Sequence, residues 1–243
     1  MFDTTPQVTV VALPGTGSDA PFAAAAFASA ARARGLRCRA VRPDPRAVID
    51  SYRAALDAAA QEGPVLAAGI SLGAAVALDW ASTHPGAAVA VVAALPAWTG
   101  PGTDGCPAAL SASVTAGQLR ADGLEPVLAA VHATSPAWLA AALDRAWRSH
   151  WPDLPAALDE AAAYAWPTPA ELAAVPVPVA VVGAVDDPVH PVAVAERWHA
   201  LLPHAGLRRV TLEEIGADPG VLGDHGMAIL EELNVLETRA APR

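Results

Sequence analysis

Lysine is absent from this 243-residue chain: all 15 of its basic residues are arginine, set against 25 acidic ones for a formal charge of -10. No Schiff-base lysine can form, no P-loop lysine can meet a nucleotide phosphate, and an acidic surface without a basic stripe is a poor match for nucleic acid. Cysteine is nearly absent too. Cys38 and Cys106 are too few and too widely spaced for a disulfide framework or a zinc site, and both read as small buried fillers. Charged residues are only 16% of the chain, yet every apolar run is broken by Gly, Pro or a charge well before the ~18 residues that a membrane span needs. Asp3-Thr4-Thr5-Pro6 leads directly into a strand-like stretch, with neither a basic nor a long apolar segment before it. We therefore expect a soluble cytoplasmic protein whose partner is a small molecule, with no nucleic acid and no membrane span; the sequence leaves oligomeric state open.

What is present is apolar. Hydrophobic residues make up 53% of the chain, enough for one domain with a large core. Alanine is about a quarter of the sequence, which raises helix propensity throughout and blurs apolar periodicity. Short apolar and β-branched runs at Val8–Leu13, Arg37–Arg42, Val65–Gly69, Ala88–Leu95, Val177–Val182 and Leu207–Leu212 alternate with helical stretches near Ala20–Arg34, Arg46–Gln61, Leu72–Thr83, Val192–Leu201 and Met227–Glu237. That alternation predicts an α/β fold: a parallel sheet of six strands with helices on both faces. Pro45 suits a first helical turn, Gly35 a helix end, and His84-Pro85-Gly86 a stop. Residues 98–166 break the pattern. They hold helical segments interrupted by prolines, and five of the seven tryptophans: Trp98, Trp138, Trp147, Trp151 and Trp166.

The chemistry begins at Gly69-Ile70-Ser71-Leu72-Gly73, where a strand runs into a helix. A serine on so sharp a turn needs neighbours without side chains two residues to either side, and the helix then aims free N–H groups at any oxyanion formed there. Nine serines and 18 glycines in 243 residues give about 0.05 such pentapeptides by composition alone. With this strand–turn–helix context the chain resembles the α/β-hydrolases over most of its length. The resemblance implies a core formed by residues 1–97 and 167–243, trimmed of the family's first two strands, with 98–166 inserted as a helical cap. It also implies a Ser-Asp-His triad in that chain order.

Ser71 is then the nucleophile. The acid falls in Gly183-Ala184-Val185-Asp186-Asp187-Pro188-Val189-His190-Pro191. Asp187 is favoured by Pro191 four residues on, with Asp186 as competitor. His225, in Gly223-Asp224-His225-Gly226 between the last expected strand and helix, is the expected base, and His190 beside the aspartates is its rival. His84, His199 and His204 fall at helix ends; His132 and His150 lie in the insertion. Leu13-Pro14-Gly15-Thr16-Gly17-Ser18 occupies the family's oxyanion loop, with Pro14 where a histidine is usual, and implies the backbone N–H groups of Thr16 and Leu72 as donors. The same glycines do not make a dinucleotide loop, because Ala20 stands where a third glycine is required.

Such a constellation implies a serine hydrolase, carboxylesterase-like, acting through an acyl-enzyme on an ester of a small or medium hydrophobic acyl group, without metal or organic cofactor. A thioesterase, an acyltransferase or a non-catalytic binding protein on the same fold are the alternatives. The five tryptophans are the candidates for lining the acyl pocket; Arg120, Arg145 and Arg148 are available either for an anionic substrate group or for solvated helix faces.

Overall fold

The computed structural model describes residues 7–236; the reading of residues 1–6 and the expected helix end at Glu237 lie outside them. Six strands, β1 (Thr9–Leu13), β2 (Arg37–Ala40), β3 (Val65–Ile70), β4 (Ala88–Ala94), β5 (Val179–Ala184) and β6 (Ala205–Val210), form one sheet in the order β2-β1-β3-β4-β5-β6. Every pairing is parallel. The order reverses direction between β1 and β3, so the loops leaving these two strands splay apart over a crevice at the carboxyl edge.

Strand alternation divides the core. Val11 and Leu13 face one layer with Leu56, Leu72 and Trp198, while Val10 and Ala12 face the other with Phe27, Leu222 and Met227. The first layer is built by α2 (Val48–Ala60), α3 (Leu72–Thr83) and α9 (Val192–Leu201), the second by α1 (Ala20–Ala33) and α11 (Gly220–Glu232). Each central strand is buried on both faces, hence its unbroken apolar sequence. The outer strands carry Arg37, Arg39, Arg208 and Arg209, charges that discourage further pairing at an edge.

Some boundaries move from their expected places. Helix α2 starts at Val48 instead of in the turn with Pro45, because its first N–H groups are met by Glu160, whose carboxylate accepts from Val48 N at 2.7 Å and Ile49 N at 3.1 Å. Strand β5 starts at Val179, after Pro176 and Pro178. Strand β6 ends at Val210, because Thr211 and Glu214 form a capping box that opens a short helix, α10 (Leu212–Ala217). Gly35 does end α1 in a left-handed conformation, φ 72°.

Between β4 and β5 the chain makes α4 (Pro107–Asp122), α5 (Leu124–Thr134), α6 (Ala137–His150), α7 (Leu154–Ala162) and the short α8 (Pro169–Ala173). Helices α4 to α7 share a small core of their own, including Leu119, Leu128, Trp147 and Leu158. They are tied to the sheet domain by Glu160 at α2, by Arg46–Asp153 at 2.9 Å, and by Arg145, which grips both oxygens of buried Asp19 at 2.7 and 3.0 Å.

Candidate active site

Ser71 sits between β3 and α3 with φ 54° and ψ -116°, a conformation that costs on the order of 1–3 kcal/mol for a residue with a Cβ. Its surroundings enforce it. The Ser71 N–H donates to Ala94 O at 2.9 Å, and its carbonyl accepts from Ala74 N at the start of α3. A Cβ on Gly69 would lie 2.2 Å from the Gly73 backbone, and one on Gly73 would lie 2.6 Å from the carbonyls of Leu13 and Pro14. The two glycines are therefore sites of backbone-to-backbone contact, and without them the turn cannot close.

The Ser71 hydroxyl meets His190, not His225. Ser71 Oγ is 2.9 Å from His190 Nε2, and His190 Nδ1 is 2.7 Å from Asp187 Oδ2. With Nδ1–H donating to the carboxylate, Nε2 is left as the acceptor for the serine O–H. One tight turn sets this relay: Asp187 Oδ1 also accepts the backbone N–H groups of Val189 (2.8 Å) and His190 (3.2 Å), folding the loop so that an imidazole three residues on swings back over its own acid. Burial by itself would raise the Asp187 carboxyl, but the His190 hydrogen bond and charge, with the two N–H donors, outweigh it and hold the group below the usual carboxylate range. Asp186 points elsewhere and accepts from Leu212 N at the start of α10.

His225 lies inside α11, half-buried, with Nδ1 3.4 Å from Arg208. The expected loop is a helix because Gly223 and Gly226 serve packing: a Cβ there would lie 2.3 Å from Ala26 O and 2.4 Å from the Val92 side chain. The helix thus starts at Gly220, seven residues earlier than the sequence suggests, and takes His225 with it. The signal for His190 is in the sequence, as an aspartate and a histidine three apart, each followed by a proline, in Asp187-Pro188-Val189-His190-Pro191. It was outranked there by the order of elements in the family.

The loop expected to serve an oxyanion follows β1. Ser18 N donates to Gly15 O at 3.0 Å, closing a turn whose Thr16 lines the same small cavity as Leu72, the first residue of α3. Of the five tryptophans, Trp147 stands on this loop, its Nε1 3.0 Å from where a Gly17 Cβ would be. The rest have other neighbours. Trp138 covers Gly216 of α10, Trp98 donates from Nε1 to Gly102 O at 2.6 Å, Trp166 is buried edge-on to Tyr164, and Trp151 is exposed. The three arginines of the insertion are all engaged, Arg120 with Asp159, Arg145 with Asp19, and Arg148 with Glu125 and Asp144.

Cys106 is buried, and burial pushes the half-buried Cys38 thiol up to about 11, so Cys38 is not a reactive thiolate at neutral pH. Among the described residues, no three His, Cys, Asp or Glu side chains are grouped to hold a metal ion, and no helix is long and apolar enough to cross a membrane.

Comparison with known proteins agrees with this architecture. Solved structures that superpose on the chain include a carboxylesterase from Nitrososphaera gargenis (14% identity, 96% of this chain and 93% of that one, TM-score 0.71). They also include the enol-lactonase of Burkholderia xenovorans (14% identity, 93% of each chain, TM-score 0.68) and a thermophilic esterase from Thermogutta terrifontis (16% identity, 96% and 92%, TM-score 0.66). No curated protein sequence matches. The model of the alpha/beta hydrolase family matches residues 4–231, and the chain belongs to that family.

Proposed function

We propose that the protein is a serine esterase in which Ser71 is the nucleophile, His190 the base and Asp187 the residue that orients and stabilises the imidazolium. The observation that carries this reading is the continuous relay Ser71 Oγ–His190 Nε2–His190 Nδ1–Asp187 Oδ2, at 2.9 and 2.7 Å. As Oγ attacks the ester carbonyl carbon, its proton passes to Nε2. The tetrahedral oxyanion is met by the N–H groups of Thr16 and Leu72, and the imidazolium returns the proton to the departing alcohol. Water then enters by the same route in reverse roles and releases the acid.

Residues 98–166 act as the cap, since α6 and α7 cover the oxyanion loop and the nucleophile is only 5% exposed. The substrate class is a carboxylic ester of a small or medium acyl group. The engagement of Arg120, Arg145 and Arg148 in ion pairs speaks against a carrier recognised through phosphates. The test is hydrolysis of p-nitrophenyl esters from acetate to dodecanoate by the wild type and Ser71→Ala, with a fluorophosphonate to label Ser71. Turnover on the short esters that vanishes in the variant is expected; turnover that survives it would sink the proposal.

A further inference from the structure

Behind the oxyanion loop lies a cavity lined by residues 15–18, Tyr52, Leu72 and His150. It has about 10 Å³ of room for the centre of a water-sized sphere, the space of roughly one oxygen or one methyl group. Most polar groups around it are spoken for. The Tyr52 hydroxyl donates to Pro14 O at 2.9 Å, and Asp19 is held by Arg145 and by Phe22 N. Two are not. His150, in the lining, is 5% exposed and Trp147, packed on Gly17 at its margin, 6%, and neither His150 Nδ1 nor Trp147 Nε1 has a hydrogen-bond partner among the described residues. Both come from the last turn of α6, the helix whose Arg145 locks onto the residue that ends the oxyanion loop.

A buried polar nitrogen left unmatched is costly, and native proteins rarely keep one. Their chemistry defines what they await. Burial holds the His150 imidazole below its ordinary range, Asp19 opposing and Arg42 adding to the shift, so the ring is neutral at pH 7. Trp147 Nε1 can only donate, and a neutral imidazole carries one N–H, so a partner that accepts hydrogen bonds can meet both. What fits is an uncharged oxygen that accepts hydrogen bonds. The cavity shares Thr16 and Leu72 with the oxyanion hole, and Gly15 lies against Ser71, a Cβ on it being 3.5 Å from the Ser71 Cβ. The cavity thus adjoins the turn that carries Ser71.

We propose that His150, assisted by Trp147, is a specificity-determining residue that selects short acyl groups carrying a neutral ether, hydroxyl or keto oxygen on the second or third carbon. The assignment rests on Ser71 being the nucleophile. It is tested with a matched pair of equal length, p-nitrophenyl methoxyacetate and p-nitrophenyl butanoate, each kcat/KM divided by the ester's own rate of hydroxide hydrolysis. The wild type should favour methoxyacetate about tenfold on this scale, the worth of one buried hydrogen bond. His150→Phe should abolish or reverse that ratio, His150→Gln, which keeps a neutral donor, should retain part of it, and Trp147→Phe should lower it. Near-UV circular dichroism checks the fold of each variant, with the glutamine and Trp147 variants serving if the phenylalanine does not fold. A wild-type ratio near one, or a ratio that all three variants leave intact, overturns the role of His150 while Ser71 still labels with fluorophosphonate. A wild type that neither labels nor hydrolyses any ester overturns the serine-nucleophile reading instead.

Discussion

Replacing His190 by alanine removes both hydrogen bonds of the relay, the one to Ser71 Oγ at 2.9 Å and the one to Asp187 at 2.7 Å. Ser71, its strained backbone and the two N–H groups proposed as oxyanion donors remain. Loss of the base in such a unit lowers kcat by about 10⁴-fold or more, leaving only what the oxyanion hole and binding supply; four decades correspond to about 5.4 kcal/mol of barrier at 1.36 kcal/mol per decade. His225→Ala is the paired control. It deletes one long contact of 3.4 Å to Arg208, which keeps its partner Glu232, so its cost in stability is within about 1 kcal/mol and kcat is unchanged. The assay is burst and steady-state hydrolysis of p-nitrophenyl acetate, with fluorophosphonate labelling of Ser71 as a second readout. His190→Ala should lose both signals and His225→Ala neither. The opposite pattern, an inactive His225→Ala beside an active His190→Ala, refutes the assignment of the base and with it the argument from the Asp187 turn.

The depressed Asp187 carboxyl has a consequence for acid stability. Its folded value lies below the ~3.9 of an unfolded aspartate, so below that pH the unfolded chain takes up the proton more readily. Its stabilisation is complete above about pH 4 and is lost as pH falls through the folded value. Urea midpoints at pH 5 and pH 3 should therefore fall more steeply for wild type than for Asp187→Asn, and equal slopes contradict the hydrogen-bonded turn. At the other end of α6, a Gly216 Cβ would lie 2.4 Å from the Trp138 indole. Gly216→Ala should cost about 1–3 kcal/mol by overpacking, and in a Trp138→Ala background that penalty should disappear. An unchanged penalty in the double variant would show that the two residues do not touch.

The sequence by itself determined the class of fold and half of the site. A central parallel strand is buried on both faces, so its residues must be apolar throughout, and β1, β3, β4 and β5 stand out for that reason. The turn that carries Ser71 was legible because its requirement is local: only glycine tolerates backbone at 2.2 and 2.6 Å. The candidate acid was narrowed to two neighbours by local spacing, and the side-chain partners separate them, Asp187 with His190 and Asp186 with α10.

Tertiary structure decided the rest, wherever the partner of a group lies far along the chain. Gly223 and Gly226 read as loop residues until α1 and β4 are seen pressing on them, and with the helix goes the reason to choose His225. Glu160 caps α2 from more than a hundred residues away, which no local pattern reveals. The tryptophans share one composition but not one role, because which indole meets the oxyanion loop depends on how α6 is docked. Arg145 and Asp19, 126 positions apart, fix that docking and bring Trp147 and His150 to the loop. Propensity and periodicity act over a few residues, whereas this site is assembled from loops and helix ends that meet only at the carboxyl edge of the folded sheet.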